Sequence, residues 1–153
     1  MALAMKKKDL ETQSMVALDA IEESGGQNPN IPALLAPILA AVAAHGKREG
    51  KKDYEGRSRD VAFGSESVSW KWPLRGADDA YVEAVGVAKI TRSIGIPERL
   101  WEYVSDAWLE AFRRSYTAAH EAEVALSRRS AQLDCEIAEA LAQRPLGPRT
   151  RRR

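Results

Sequence analysis

Apolar residues recur at three- and four-residue spacing along most of the chain, which is the spacing of helices that bury one face. Residues 8–23 form the first such segment, and Gly25-Gly26 follows it as a helix stop. Residues 33–44 are rich in alanine and leucine and predict a second helix, which His45-Gly46 ends. The pattern therefore predicts an all-α or mostly α fold, a helical bundle.

The next part of the chain departs from this spacing. Residues 46–60 contain six basic residues, four acidic residues and three glycines, a composition that does not build a core. We expect a mobile polar loop here, open to binding a partner. In residues 61–72, Val68, Trp70 and Trp72 alternate with polar residues, as in a strand. This segment is either a small β-hairpin formed with Val61–Phe63 or an extended strip that packs its tryptophans on the helices.

Two further helices are predicted in the second half of the chain. Residues 77–93 have a helical pattern with Gly86 inside it, and an internal glycine weakens a helix by about 1 kcal/mol relative to alanine. Pro97 then stands where helices begin. No glycine or proline interrupts the chain from there to about Gln143, so the sequence predicts one long C-terminal helix.

One apolar stripe follows this long helix with a period of 3.6 residues, which is the period of a straight helix and not of a left-handed coiled coil. A helix of this length measures about 70 Å, whereas a compact domain of this chain length has a radius of gyration near 15 Å. Either the helix breaks near Ser127–Ser130, or another chain covers the excess, and we favour a homo-oligomer. The predicted self-association residues are Trp101, Trp108, Phe112, Ala119, Ala122, Leu126, Leu133 and Ile137.

Charge is unevenly distributed, although the net charge is only +1. Residues 76–143 contain 12 acidic and 7 basic residues, whereas the last ten residues contain five arginines and no acid. We therefore divide the chain into a basic N-terminal arm at 1–7, a single helical domain at 8–143 with the polar loop at 46–60, and a disordered arginine-rich tail at 144–153.

The basic segments make nucleic acid a candidate partner, because lysines and arginines neutralise phosphates without reading the base sequence. Trp70-Lys71-Trp72 would add base stacking in a single-strand binder, unless both tryptophans belong to the core. The candidate nucleic-acid-binding residues are Lys6, Lys7, Lys8, Lys47, Arg48, Lys51, Lys52, Arg149, Arg151, Arg152 and Arg153.

Residues that catalysis or metal binding would need are sparse. His45 and His120 have no partner at metal-ligand spacing, and Cys135 stands between two acids instead of beside the cations that activate a thiol. Neither a phosphate-binding loop nor a nucleophile elbow is present. We predict that the protein is not an enzyme, that it holds no metal or cofactor, and that it has no small-molecule substrate.

The sequence also bears on location. No run of 18 or more apolar residues is present, so we predict no membrane span and no membrane partner. The chain has a single cysteine and no visible secretory signal. We expect a cytoplasmic location or an intracellular assembly.

The segment Ile90–Val104 resembles the helix-turn-helix of bacterial DNA-binding regulators. A small residue, Thr91, stands four positions before the turn residue Gly95, and Trp101 occupies an anchor position of the second helix. The resemblance covers about 20 residues and implies that the helix beginning at Pro97 enters the major groove. Its first turns also carry acids, which repel the phosphates that line the groove. These acids are Glu98, Glu102 and Asp106.

Together these patterns predict a non-catalytic, self-associating helical protein of structural or assembly type, such as a coat, nucleoid or accessory subunit, that contacts nucleic acid through basic arms. The first alternative is a helix-turn-helix regulator or a packaging adaptor. The second is a protein–protein adaptor that binds no nucleic acid and docks through its acidic helix face.

Overall fold

A computed structural model describes the backbone of residues 6–64 and 76–143, with side chains throughout these ranges except at 58–64. The described part contains helices and no strand. The predicted class, a helical bundle with one long C-terminal helix, is confirmed. The helices are α1 (Lys7–Ser24), α2 (Ile31–Gly64), α3 (Ala77–Val85), α4 (Val87–Ile94) and α5 (Trp101–Gln143), with a short 3₁₀ turn at Glu98–Leu100 before α5.

The first predicted helix forms as expected, with bounds one residue wider at each end than 8–23. Its buried face includes Leu10, Leu18 and Ile21. Gly25 ends the helix in the left-handed region at φ 59°, and its N–H donates to the carbonyl oxygen of Ile21. A residue with a Cβ adopts this conformation at a steric cost, so glycine is the favoured stop.

The prediction of a polar loop at 46–60 was wrong, because the second helix continues through that whole segment to Gly64. The glycines that suggested a loop have a packing role instead. A Cβ placed on Gly46 would lie 2.5 Å from the backbone oxygen of Trp108, and a Cβ on Gly50 would collide with the backbone oxygen of Phe112. The two glycines, one helical turn apart, let the backbone of α2 approach the backbone of α5 closely.

The hairpin proposed near 61–72 needed Val61–Phe63 as its first strand. These residues belong instead to the end of α2. Val68, Trp70 and Trp72 lie outside the described residues. A strand formed by 61–63 is therefore excluded, because those backbone groups already make helical hydrogen bonds.

The predicted helix at 77–93 is two helices, α3 and α4, that meet at Gly86. This glycine has φ 93° and ψ 140°, which lies outside the helical region of backbone conformation. Its N–H donates to the carbonyl oxygen of Val82 and so makes the last hydrogen bond of α3. Glycine reaches this conformation without a steric penalty. The interruption therefore reflects a change of chain direction where the sequence pattern suggested a continuous helix.

The long C-terminal helix is confirmed, with its α-helical part at Trp101–Gln143. Pro97 precedes it in an extended conformation, and the 3₁₀ turn connects the proline to the helix. No break occurs near Ser127–Ser130. Of the two explanations considered for the length of the stripe, a broken helix is thus excluded.

The described chain divides into two units, one up to Ala119 and one from His120 onward. The boundary between them lies within residues 8–143, the range that the sequence predicts to be a single domain. The first unit contains the buried core, where α1, α2, α3, α4 and the beginning of α5 meet. Aromatic rings dominate its centre, with ring centroids 5.1 Å apart for Trp108 and Phe112 and 5.2 Å apart for Tyr54 and Tyr116. The buried residues of α5 are Val104, Trp108, Phe112 and Tyr116.

Candidate functional site

The second unit presents an exposed apolar stripe on α5. Its large side chains are Leu126 (69% exposed), Leu133 (47%), Ile137 (57%) and Leu141 (60%). At 100° per residue they fall within about 80° of one another around the helix axis. Among the residues of this unit that the structure describes, none is buried. An exposed apolar row of this length is characteristic of a surface that another molecule covers.

The predicted self-association residues separate into two groups. Trp108 and Phe112 are fully buried in the chain's own core, and Trp101 and Ala119 are partly buried against it. These four therefore stabilise the first unit and do not form a free surface. Ala122, Leu126, Leu133 and Ile137 are exposed and lie together on one face of the second unit. The sequence pattern could not separate the groups because the same spacing serves both.

Charged residues flank the exposed stripe. Arg129 and Glu136 are seven residues apart, about 20° short of two full turns, so they lie along the same edge. Asp134 lies along the other edge. All three side chains are exposed. An apolar row with charged edges is the arrangement found at helix–helix interfaces, where the edge charges select partner and orientation.

Four of the predicted nucleic-acid-binding residues form a fixed surface on α2. Lys47 and Lys51 are one turn apart, with Arg48 and Lys52 beside them, and all four are exposed. None of the four is ion-paired with a carboxylate in the described part of the chain. Because the segment is helical, these cations have a defined spacing and direction, which a mobile loop would not give them. We call this set the α2 basic face.

The other predicted basic residues are placed differently. Lys6 is the N-cap of α1, and Lys7 and Lys8 form its first turn, so the expected arm at 1–7 ends in a helix. All three side chains are exposed, and the aliphatic part of Lys7 lies against Gly95. In the described part of the chain, no contact joins these three lysines to the α2 basic face. Arg149, Arg151, Arg152 and Arg153 lie outside the described residues.

A buried polar network joins α2, α3 and α5, and the sequence pattern did not predict it. The indole N–H of Trp108 donates to Nδ1 of His45 at 3.0 Å, and the Tyr81 hydroxyl donates to Oε2 of Glu49 at 2.6 Å. Burial lowers the pKa of His45, against the opposing effect of Glu49. Burial and the hydrogen bond to Glu49 raise the pKa of Tyr81. Each of these polar groups therefore has a partner within the fold, and the network stabilises the helix packing.

An ion pair connects α3 to α5. Nε of Arg113 donates to Oδ2 of Asp78 at 2.5 Å, and Asp78 is buried while Arg113 is mostly exposed. Nearby on α2, burial raises the pKa of Asp53, against the effect of Arg57, whose Nε lies 3.1 Å from its Oδ2. These carboxylates face basic partners and are not arranged as an open acid–base pair.

In the segment that resembles a helix-turn-helix, α4 ends in a turn at Gly95. Thr91 is buried, and its carbonyl oxygen accepts the N–H groups of both Gly95 and Ile96, at 2.9 and 3.1 Å. Gly95 has φ 97°, in the left-handed region. The first turns of the following helix are acidic on their exposed side, and the one exposed cation there, Arg99, bonds Oε1 of Glu22 at 2.8 Å. The exposed acids are Glu98, Glu102 and Asp106.

Among the side chains that the structure describes, those of residues 6–57 and 76–143, no group of three or more histidine, cysteine, aspartate or glutamate residues could hold a metal ion. The helices of these ranges include none that is long and apolar enough to cross a membrane. No protein-family model, no curated protein and no solved structure matches this chain.

Proposed function

We propose that this is a non-catalytic assembly protein, such as a coat, nucleoid or accessory subunit, that self-associates through the second half of α5 and contacts nucleic acid through basic residues. The observation that carries the proposal is the exposed stripe of Leu126, Leu133, Ile137 and Leu141. The uninterrupted course of α5 supports it, because a break was the other explanation for so long an apolar stripe.

The stripe is costly for a chain that stays alone. Most helical stability in proteins comes from packing of an apolar face, and residues 120–143 have no buried side chain of their own. Burying one leucine or isoleucine side chain contributes about 1.5–3 kcal/mol. Four such side chains per copy therefore give association a favourable free energy that opposes the cost of bringing two copies together.

Self-association is tested by light-scattering mass measurement after size exclusion on wild type and two variants. Leu133→Glu places a charge within the stripe, and we expect it to give the monomer mass. Ala131→Glu adds the same charge about 160° away around the helix, at another exposed position, and should keep the wild-type mass. A wild-type monomer at concentrations up to the millimolar range would contradict the proposal.

Contact with nucleic acid is supported by the α2 basic face, whose exposed cations lie on a rigid element. Each lost phosphate contact lowers the slope of log K against log salt by about 0.9 for duplex DNA. We expect Lys47→Glu combined with Lys51→Glu to weaken binding of a short duplex at least tenfold and to reduce that slope by about 2. Fluorescence anisotropy across a salt series measures both quantities.

The matched control for this experiment is Lys89→Glu combined with Arg92→Glu. Both residues are exposed on α4, and the control changes the net charge of the chain by the same amount. If both double variants lose binding equally, only overall charge matters and the α2 basic face is not the contact surface. If wild type does not bind duplex or single-stranded oligonucleotides at low salt, the nucleic-acid part of the proposal fails and the protein–protein adaptor remains.

The helix-turn-helix regulator is a second candidate, favoured by the turn at Gly95 and the buried Thr91 beneath it. In that function the first turns of α5 would enter the major groove, where Glu102 and Asp106 repel phosphates. Glu102→Lys combined with Asp106→Lys should then strengthen duplex binding by tenfold or more. Unchanged binding in this variant would contradict groove entry by α5.

A further inference from the structure

The edges of the exposed stripe carry information about its partner. Arg129 and Glu136 lie on one edge, and Asp134 and Ser127 lie on the other. When two helices pair in antiparallel orientation, the same edge of each helix meets. When they pair in parallel, opposite edges meet. The two orientations therefore form different edge contacts: an antiparallel pair brings Arg129 near Glu136, and a parallel pair brings Arg129 near Asp134. Opposite charges meet in both, so the remaining contacts along the stripe decide between them.

The antiparallel pairing of two copies is self-complementary. If Leu126 of one copy faces Ile137 of the other, Leu133 faces Ser130, so a large residue meets a small one in that layer. In this same register Arg129 of each copy faces Glu136 of the other, and two ion pairs form by symmetry. The other edge brings Asp134 opposite Ser127, so like charges do not face one another there.

A parallel pair in register fits less well. It would bring Glu123 of one copy next to Glu123 of the other at the edge of the stripe, and like charges directly opposite are unfavourable. It would also place Leu133 against Leu133 and Ser130 against Ser130, which leaves one layer poorly filled.

We propose that the partner of this stripe is a second copy of the chain, bound antiparallel along the second half of α5, with Arg129 of each copy paired with Glu136 of the other. This inference rests on the proposed self-association and specifies its partner, orientation and register. The interface is isologous, so it closes as a dimer, and it uses none of the residues of the α2 basic face.

The test is a charge swap read by sedimentation equilibrium. Arg129→Glu alone turns both Arg129–Glu136 ion pairs into facing acids and should raise the dimer dissociation constant about tenfold. Glu136→Arg alone should do the same by bringing two cations together. The double variant, Arg129→Glu with Glu136→Arg, restores opposite charges and should return to within about twofold of wild type.

A cross-linking experiment reads the orientation independently of affinity. In a Cys135→Ser background, the Arg129→Cys protein mixed with the Glu136→Cys protein should form a disulfide-linked mixed dimer on mild oxidation. An Ala140→Cys protein should not link to itself, since the two copies of this residue lie at opposite ends of an antiparallel pair, whereas in a parallel pair they would meet.

The outcomes separate the two proposals. If Leu133→Glu gives a monomer but the double charge swap does not restore pairing and Ala140→Cys links to itself, the self-association stands and the antiparallel register is overturned. If wild type is monomeric under all conditions, the self-association fails and this inference fails with it. Restored pairing together with the mixed disulfide supports the antiparallel dimer.

Discussion

At the scale of single residues, the histidine His45 shows how a side chain at an apparent helix end becomes part of a core. The sequence suggested that it favourably ends a helix, because a partial positive charge is stabilised there. In the structure it is 8% exposed and accepts a hydrogen bond at Nδ1 from Trp108. The donated bond requires a lone pair on Nδ1, so the ring must be neutral to keep its partner.

We expect this residue to make the protein less stable in mild acid. Because the pKa of His45 is lowered in the fold, the unfolded chain binds its proton first as pH falls below the ordinary value of 6.5. The stabilising contribution is complete above that pH and decreases toward the folded pKa, with a slope of up to about 1.4 kcal/mol per pH unit. Urea unfolding between pH 8 and pH 5, followed by tryptophan fluorescence, measures it.

The control is His45→Gln, since the glutamine oxygen can accept the same indole N–H and does not titrate. Asp53 acts in the opposite direction, because its raised pKa makes the folded state bind a proton first. It is present in both proteins, so the difference between them isolates His45. Identical pH profiles for wild type and His45→Gln would show that the histidine titrates equally in both states.

At the scale of the helices, the sequence predicted where most helices lie. It did not separate the glycines that end a helix from those that pack inside one. Gly25 and Gly95 end helices, as expected from the patterns around them. Gly46 and Gly50 do not, because they stand where α2 crosses the backbone of α5. Gly86 does interrupt a helical pattern, through a positive φ. Glycine serves both purposes, and only the tertiary contact decides which one applies.

The helix crossing gives a prediction that runs against helix propensity. Gly50→Ala should raise the intrinsic helix propensity of α2 and still destabilise the protein by about 1–3 kcal/mol, because the added methyl group collides with the backbone oxygen of Phe112. Backbone atoms cannot move aside as a flexible side chain can. The free energy of unfolding in urea measures the change.

Gly56→Ala is the matched control on the same helix. Nothing lies within 4 Å of a Cβ built at Gly56, so the substitution should stabilise the protein by about 0.5–1 kcal/mol through propensity alone. If Gly50→Ala were stabilising by a similar amount, the close approach of α2 to α5 would not exist in solution.

At the scale of the whole molecule, the sequence predicted the long apolar stripe of α5. It did not predict that the first half of the stripe is buried and the second half exposed. The spacing that buries Trp108 and Phe112 in the first unit continues through Leu126 and Leu133 in the second, where the side chains are exposed. A periodic pattern predicts that a face is covered, and it does not identify the covering surface. The same limit applies to the basic residues, whose arrangement on α2 depends on the glycine packing that the pattern did not reveal.

The exposed half of α5 should couple helix formation to association. Residues 120–143 have no buried side chain of their own, so in a monomer their helix is supported only by local interactions, and dimerisation adds the packing that stabilises it. We expect the far-ultraviolet circular dichroism of wild type at 222 nm to weaken on dilution through the dissociation constant of the dimer. The part of the near-ultraviolet signal that comes from Trp101 and Trp108 should not change over this range, because both residues pack in the core of the first unit. Leu133→Glu should show the weaker 222 nm signal at every concentration, whereas a signal independent of concentration in a dimeric wild type would mean that the helix is stable without its partner.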